Sequence, residues 1–191
     1  MVGGLAPERR RTQRLLLRGF TDADREPFAA LNSDPAVMEH FPSPVDRARS
    51  DALVDRVRAG WADRGWGLWA VERADTGEMV GFTGLSPATF DAPFTPAVEV
   101  GWRLARAHWG QGFATEAALA SLRVAFEDLG VGEVVSFTAV TNSRSRAVME
   151  RLGMHRDPAD DFPYPSIPEG HPLRPHVLYR LDAATWRLRQ G

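Results

Sequence analysis

The sequence predicts an α/β fold in which a mixed sheet is covered by helices. Three observations carry this reading. Two strand-like runs, Gly67 to Glu72 and Glu78 to Leu85, flank Ala74-Asp75-Thr76-Gly77, which is hairpin turn chemistry. A third run, Ala97 to Leu104, alternates Val98, Val100 and Trp102 against Glu99, Gly101 and Arg103. Two strand–helix units then follow, and a run of antiparallel strands succeeded by strand–helix units predicts a mixed sheet covered by helices. With 191 residues, 43% hydrophobic and 25% charged, the chain has the size and composition for one domain with a full core.

The elements follow in order. Residues 1–13 read as a flexible arm and 14–191 as a single domain. The arm carries Arg9, Arg10 and Arg11 with no apolar segment behind them, so it does not read as a signal peptide. Leu15-Leu16-Leu17 is the first strand. Thr21 or Asp22 caps a helix containing Phe28, Ala29 and Leu31, which Asp34-Pro35 ends. Asp46 to Trp61 is a second helix, with Leu53, Val54, Val57 and Trp61 at helical spacing. The three strands above come next. Ala105 to Gln111 is a loop, and a helix runs from about Gly112 to Leu129, with Leu122, Ala125, Phe126 and Leu129 forming a buried stripe. Val134 to Val140 is a strand, and Asn142 to Leu152 a short helix stopped at Gly153. Asp157 to Pro175 holds six prolines and reads as a long irregular connection of the kind that carries function. His176 to Leu181 is the last strand and Ala183 to Gln190 a terminal helix.

Composition excludes several chemistries. All 23 basic residues are Arg and Cys is absent. Without Lys there is no Schiff-base lysine and no Walker-A lysine. Without Cys there is no thiol nucleophile, disulfide or Cys-based zinc site. A net charge of −2 gives no electrostatic case for nucleic acid or an anionic membrane. No apolar run approaches the roughly 18–20 residues that span a bilayer. A cytoplasmic protein is expected. No two His stand at metal-ligand spacing with carboxylates, so no metal is expected.

Trp109-Gly110-Gln111-Gly112-Phe113-Ala114-Thr115 lies between a strand and a helix. The first turn of a helix has unpaired N–H groups and the positive end of the dipole, and glycines let the backbone approach a ligand. The combination suits a phosphate or pyrophosphate, or else a plain glycine-rich connector. The absence of a third glycine at Thr115, and the position past the chain midpoint, argue against a dinucleotide-binding fingerprint.

The segment resembles the pyrophosphate loop of the GNAT acyltransferase superfamily, R/Q-x-x-G-x-G/A. Gly112 and Ala114 match, while Trp109 stands where Arg or Gln is expected. The wording from Trp109 to Ala117 is close to the RimJ/RimL-type branch, and the block Thr141 to Met154 is similar to that branch's second motif. The resemblance implies a mostly antiparallel sheet of about seven strands, splayed between the fourth and fifth, with helices on both faces. It implies acetyl-CoA as co-substrate and an amine acceptor, either a peptide N-terminus or a small molecule. It leaves a homodimer open. By position it places the pantetheine along Trp102, Arg103 and Leu104. The pyrophosphate falls on Trp109, Gly110, Gln111, Gly112, Phe113, Ala114 and Thr115, with Asn142, Ser145 and Arg146 as further cofactor contacts.

Acetyl transfer to an amine needs a neutral amine, a polarised thioester and a leaving thiolate that finds a proton. With no Cys, direct attack in a ternary complex is expected. Glu99 is the candidate base, set among apolar strand neighbours that would raise its pKa; the bland alternative is a surface or ion-paired strand Glu. The family's usual Tyr donor falls at Met149, so Ser145 is the candidate donor, with a helix-start hydroxyl as its alternative. His108 reads as a loop-packing or cofactor-contacting residue rather than a base. His171 and His176 flank the proline-rich loop and are candidates for acceptor contact. Trp61, Trp66, Trp69 and Phe82 read mostly as core, and Phe41 and Phe162 as acceptor-pocket walls. A non-catalytic acyl-CoA sensor on the same fold is the rival reading.

Overall fold

A computed structural model describes residues 6–189. Residues 1–5 of the expected arm, and Gln190 of the expected terminal helix, lie outside the described residues. The chain forms strands β1 (Arg9–Arg11), β2 (Leu15–Arg18), β3 (Leu68–Arg73), β4 (Met79–Ala88), β5 (Ala97–Leu104), β6 (Glu133–Ala139), β7 (Phe162–Pro163) and β8 (Pro175–Asp182). Its α-helices are α1 (Arg25–Ser33), α2 (Arg47–Arg64), α3 (Phe113–Arg123), α4 (Ser143–Arg151) and α5 (Ala183–Leu188).

One sheet runs in the order β1-β2-β3-β4-β5-β6-β8-β7. All neighbours are antiparallel except β5 and β6, which pair in parallel at only Val98–Val134 and Glu99–Val135. Beyond Glu99 the two strands share no register, so a fork opens between them. This is the expected splay; the sheet has eight strands where about seven were expected.

Alternation along the strands divides the core. Trp69, Val71, Val100 and Val134 face α3, α4 and α5, and pack with Ala117, Leu122, Met149 and Trp186. Ala70 faces the other way, against Phe28 and Leu31 of α1 and Val54 of α2. Val135 and Leu178, also on that second face, pack with Phe162 and a group of aromatics from the loops. Burial of these side chains contributes about 1.5–3 kcal/mol for each large one.

Local signals account for the helix ends. The Asp46 carboxylate accepts from Arg49 N–H at 2.8 Å and starts α2, and Gly65 at φ 72° ends it. A single π-helical turn, Val124–Asp128, extends α3 to Gly130 at φ 64°.

The arm expected over residues 1–13 is corrected where it is described. Arg9–Arg11 pair with β2 as an edge strand, and Ala6 is buried, its N–H donating to the Gly65 carbonyl at 2.9 Å. Backbone pairing, indifferent to side chain, makes a strand of three arginines, and such charged residues suit a sheet edge. The proline-rich connection is also less irregular than expected, since β7 adds to β8 within it. Among the described residues, no helix is long and apolar enough to cross a membrane.

Candidate active site

A cavity of about 1250 Å³ occupies the fork between β5 and β6. It exceeds the roughly 300–1,000 Å³ of ordinary small-molecule pockets, as an extended co-substrate beside an acceptor would require. Trp102, Arg103 and Leu104 line one wall, Ser136, Phe137 and Thr138 the other, and the start of α3 closes one end.

That end is built for close approach. Gly110 has φ 73° and Gly112, the N-cap of α3, φ 79°. Both lie in the left-handed region, where a side chain strains the backbone. A Cβ on Gly110 would meet nothing within 4 Å. Phe113, Ala114 and Thr115 line the cavity at the first turn of α3, where the backbone N–H groups have no intrahelical partner and the positive end of the helix dipole lies.

The loop is held from outside the cavity. Arg14 Nη1 donates to the Gln111 carbonyl at 2.9 Å and Arg14 Nε to Glu116 Oε2 at 2.7 Å. Glu116 Oε1 accepts from Thr12 Oγ1 at 2.6 Å and from Arg14 N–H at 2.8 Å. Burial pushes the Glu116 carboxyl up, but these hydrogen bonds outweigh it and hold it below its ordinary value. The one acidic side chain of the first turn is thus neutralised and drawn away from the glycine loop. On the inner side, the Trp109 indole donates to the Leu104 carbonyl at 2.8 Å, and the Arg144 guanidinium lies 4.6 Å from its ring. Trp109 thus ties the loop to the end of β5.

Glu99 stands where β5 and β6 part, on the face opposite Val98 and Val100. Its cross-strand partner Ser86 donates its hydroxyl to Glu99 Oε2 at 3.1 Å. Burial pushes the carboxyl up to about 7, against the opposing pull of that hydroxyl. No cation lies within ion-pair distance of Glu99 among the described residues, so the ion-paired alternative does not hold. Tyr164 stands near it, stacked on His176 with ring centroids 4.8 Å apart and packed beside Phe137, all three lining the same cavity. Burial and then the Glu99 charge raise the Tyr164 pKa. Burial lowers that of His176 and keeps the imidazole neutral at neutral pH.

At the head of α4, Asn142 Oδ1 caps Ser145 N–H at 3.2 Å, while Asn142 Nδ2 donates to Thr138 Oγ1 at 2.9 Å and Ser145 Oγ at 3.2 Å. Ser145 Oγ lines the cavity and acts as acceptor, leaving its own proton to donate. Met149, at the usual Tyr position, is buried behind it.

The cavity brings together Glu99, Trp102, Arg103, Leu104, Trp109, Gly110, Gly112, Phe113, Ala114, Thr115, Asn142 and Ser145. It leaves out two expected residues. The Gln111 amide folds onto the Ala107 carbonyl, and Arg146 Nη1 donates to the Val140 carbonyl at 3.1 Å. His108 packs in the loop, its Nε2 3.2 Å from Glu78 Oε1, and also lines the cavity. His171 accepts from Leu173 N–H and stays off the cavity. Phe41 is a wall, but Phe162 packs behind the lining among Phe90, Phe94 and Phe137. Phe82, read mostly as core, lines the cavity.

Tyr164, Ser86, Ser136 and Asn32 escape the sequence reading. Ser86 alone had a signal, since pairing Gly84 with Gly101 across the β4–β5 hairpin sets Ser86 opposite Glu99.

The profile of the acetyltransferase (GNAT) domain matches residues 14–155. FsC-acetyl coenzyme A-N(2)-transacetylase of Aspergillus fumigatus is 33% identical over 186 residues, covering 92% of this chain and 76% of that protein. The Bacillus subtilis protein YkkB is 32% identical over 145 residues, covering 75% of this chain and 83% of its own. The crystal structure of an acetyltransferase from Agrobacterium tumefaciens superposes with a TM-score of 0.74 at 30% identity, over 93% of this chain and 95% of that one.

Proposed function

Because the chain belongs to the GNAT acetyltransferase family and is an acyltransferase, we propose that it moves an acetyl group from acetyl-CoA to a primary amine by direct attack in a ternary complex. The observation that carries this is Glu99: a carboxyl raised to about 7 by burial, in the fork of the sheet, with an anion-binding helix start at the far end of the same cavity. The open cradle at Gly110 and the unpaired N–H groups of α3 suit a pyrophosphate. The backbone of Trp102 to Leu104, which finds no partner strand in β6, suits an extended amide-bearing arm.

When bound, acetyl-CoA supplies an acetyl group activated as a thioester. The residues do the rest. Glu99, half ionised near neutrality, takes a proton from the incoming ammonium or from the nitrogen as it attacks, directly or through water. Phe137, Tyr164 and the neutral His176 exclude bulk water from that step and add no positive charge that would pull Glu99 down. Ser145 donates its hydroxyl proton to the departing sulfur as a hydrogen bond, with solvent as the final proton source. Trp109 through Thr115 hold the distant phosphates and so fix the thioester against Glu99. The wording of Trp109 to Ala117 favours the RimJ/RimL-type branch within the family.

The test follows free thiol release with acetyl-CoA and a panel of amines and peptides. Release that needs acceptor, and that collapses in Glu99→Gln, is expected. Acetyl-CoA that neither raises the melting temperature nor is consumed would refute the reading, because a ligand of the native state must stabilise it.

A further inference from the structure

Arg103 has no counter-charge. It lies on the same face of β5 as Glu99, two pleats further on, and lines the same cavity. Among the described residues no carboxylate stands within ion-pair distance of it. Its Nη1 donates to Asn32 Oδ1 at 2.6 Å, and its buried Nε has no partner. The Phe41 ring lies 4.1 Å from the guanidinium carbon and the Phe82 ring 5.4 Å. Burial pushes its pKa down to about 10, which still leaves it charged at neutral pH. A buried guanidinium held by one neutral hydrogen bond and two rings is costly, and such cost is met by a partner of opposite sign.

The surroundings hold this charge in place. A guanidinium only donates, so it fixes the Asn32 amide with its oxygen inward. The amide nitrogen in turn donates to Ser50 Oγ at 3.0 Å, and both Asn32 and Ser50 are fully buried. The floor between Arg103 and Glu99 is bare. It is Gly101, where a Cβ would meet only Glu99 Oε1, at 3.6 Å. The carboxylate therefore leans along the strand toward the guanidinium. The two Cα atoms are about 13 Å apart at strand rise.

We infer that Arg103 is an anion subsite for the acceptor, and that the acceptor is an amine carrying a carboxylate at its other end, lying across Gly101 with its nitrogen at Glu99. The inference rests on the acetyltransferase reading and adds the class of acceptor. The carboxylate supplies, from the cavity side, the counter-charge that the guanidinium lacks, and the flanking Phe41 and Phe82 cover the apolar stretch of the acceptor beside it.

The probes are ω-amino carboxylates with four to eight carbons, each paired with its primary amide. Acetylation by the full chain is expected to favour each best-fitting acid over its amide by about ten- to a hundredfold in kcat/KM, the range for a hydrogen bond to a charged group. Arg103→Gln is expected to bring that ratio close to one, mostly through KM. Asn32→Asp gives Arg103 a built-in counter-charge, and is expected to abolish the preference without lowering the melting temperature. Equal use of acid and amide by the wild type overturns the inference while leaving acetyl transfer intact. A ratio that survives in Arg103→Gln does the same. Should no probe be acetylated, the Arg103 Nε–H resonance decides: a shift with the acids but not the amides supports the subsite, and no shift with either overturns it. Failure of acetyl-CoA to raise the melting temperature strikes the acetyltransferase reading instead.

Discussion

Replacing Glu99 by Gln is expected to stabilise the fold while abolishing its chemistry, and the size of the gain depends on pH. The Glu99 carboxyl is raised from 4.5 to about 7 in the folded chain. Between those values the folded state binds a proton that the unfolded state has released, so stability falls as pH rises. At 1.36 kcal/mol per pKa unit, the wild type gives up about 1 kcal/mol by pH 5 and about 3 kcal/mol by pH 8. Gln keeps the shape and the acceptor for the Ser86 hydroxyl and carries no charge at either pH. The variant therefore exceeds the wild type by about 3 kcal/mol at pH 8 and by about 1 kcal/mol at pH 5. In a chain of this length that is roughly 6–12 °C in Tm at pH 8.

Two assays read it. Thermal melts of both proteins at pH 5 and pH 8 give the stability difference, and subtracting wild type from variant at each pH cancels every group other than residue 99. The pH profile of kcat/KM gives the same group in action: activity rises through about 7 as Glu99 ionises, and Glu99→Gln loses about a hundredfold or more together with that limb. A stability difference that does not change with pH would refute the argument, because it would mean that burial does not hold the folded carboxyl neutral.

Three further substitutions separate the parts of the site. Ser145→Ala is expected to lower kcat by about tenfold with little change in KM for acetyl-CoA, less than the usual range for a general acid because solvent also protonates a thiolate; steady-state kinetics check it. Gly112→Ala places a side chain at φ 79°, with its Cβ 3.4 Å from Arg14 Nη2, and is expected to cost about 1–2 kcal/mol and to shrink the melting shift given by acetyl-CoA. Glu116→Gln loosens the hold of Arg14 and Thr12 on the loop and is expected to raise KM for acetyl-CoA. The depressed Glu116 carboxyl adds stability above its unfolded value that is lost as pH falls through the folded one. The gap in Tm between wild type and Glu116→Gln is therefore expected to close as pH is lowered from 7 to 3.

The fold was legible wherever side chains dictate backbone. Ala97–Leu104 stands in the sheet with the bounds its alternation predicts, and Asp46 and Gly153 mark helix ends by cap chemistry alone, while the second helix runs past the expected Trp61 to Arg64. It was illegible where the backbone is recruited from outside. Arg9–Arg11 and Phe162–Pro163 have no strand pattern of their own and are strands because an edge offers them hydrogen bonds. The extension of β4 to Ala88 past Pro87 has the same cause, since β5 continues beside it. Within the site, Glu99 and the glycine loop could be read because motif and alternation place them. Tyr164 and Asn32 could not, since each arrives from an element whose docking no local pattern encodes. The side chains of Gln111 and Arg146 stay off the cavity lining for a related reason: a motif fixes where a backbone runs, while a neighbouring carbonyl decides where a long polar side chain ends.

The alternation of β5 also explains why one strand serves two ends of a site. Val98, Val100 and Leu104 bind it to the α3 face of the core, so Glu99, Gly101 and Arg103 must share the opposite face. Val135 and the aromatics fill that face beside Glu99, and α1 fills it beside Arg103. Between them a strand interior would ordinarily carry a β-branched or aromatic residue, and glycine there costs about 0.5–1 kcal/mol. Nothing in the packing demands the glycine, since a Cβ at 101 would meet a single atom at ordinary contact distance. The space it leaves is useful only to something that lies along the strand from the carboxylate to the guanidinium. Acid, gap and base in line on one pleated face are thus best understood as a seat for an acceptor whose two ends differ in charge.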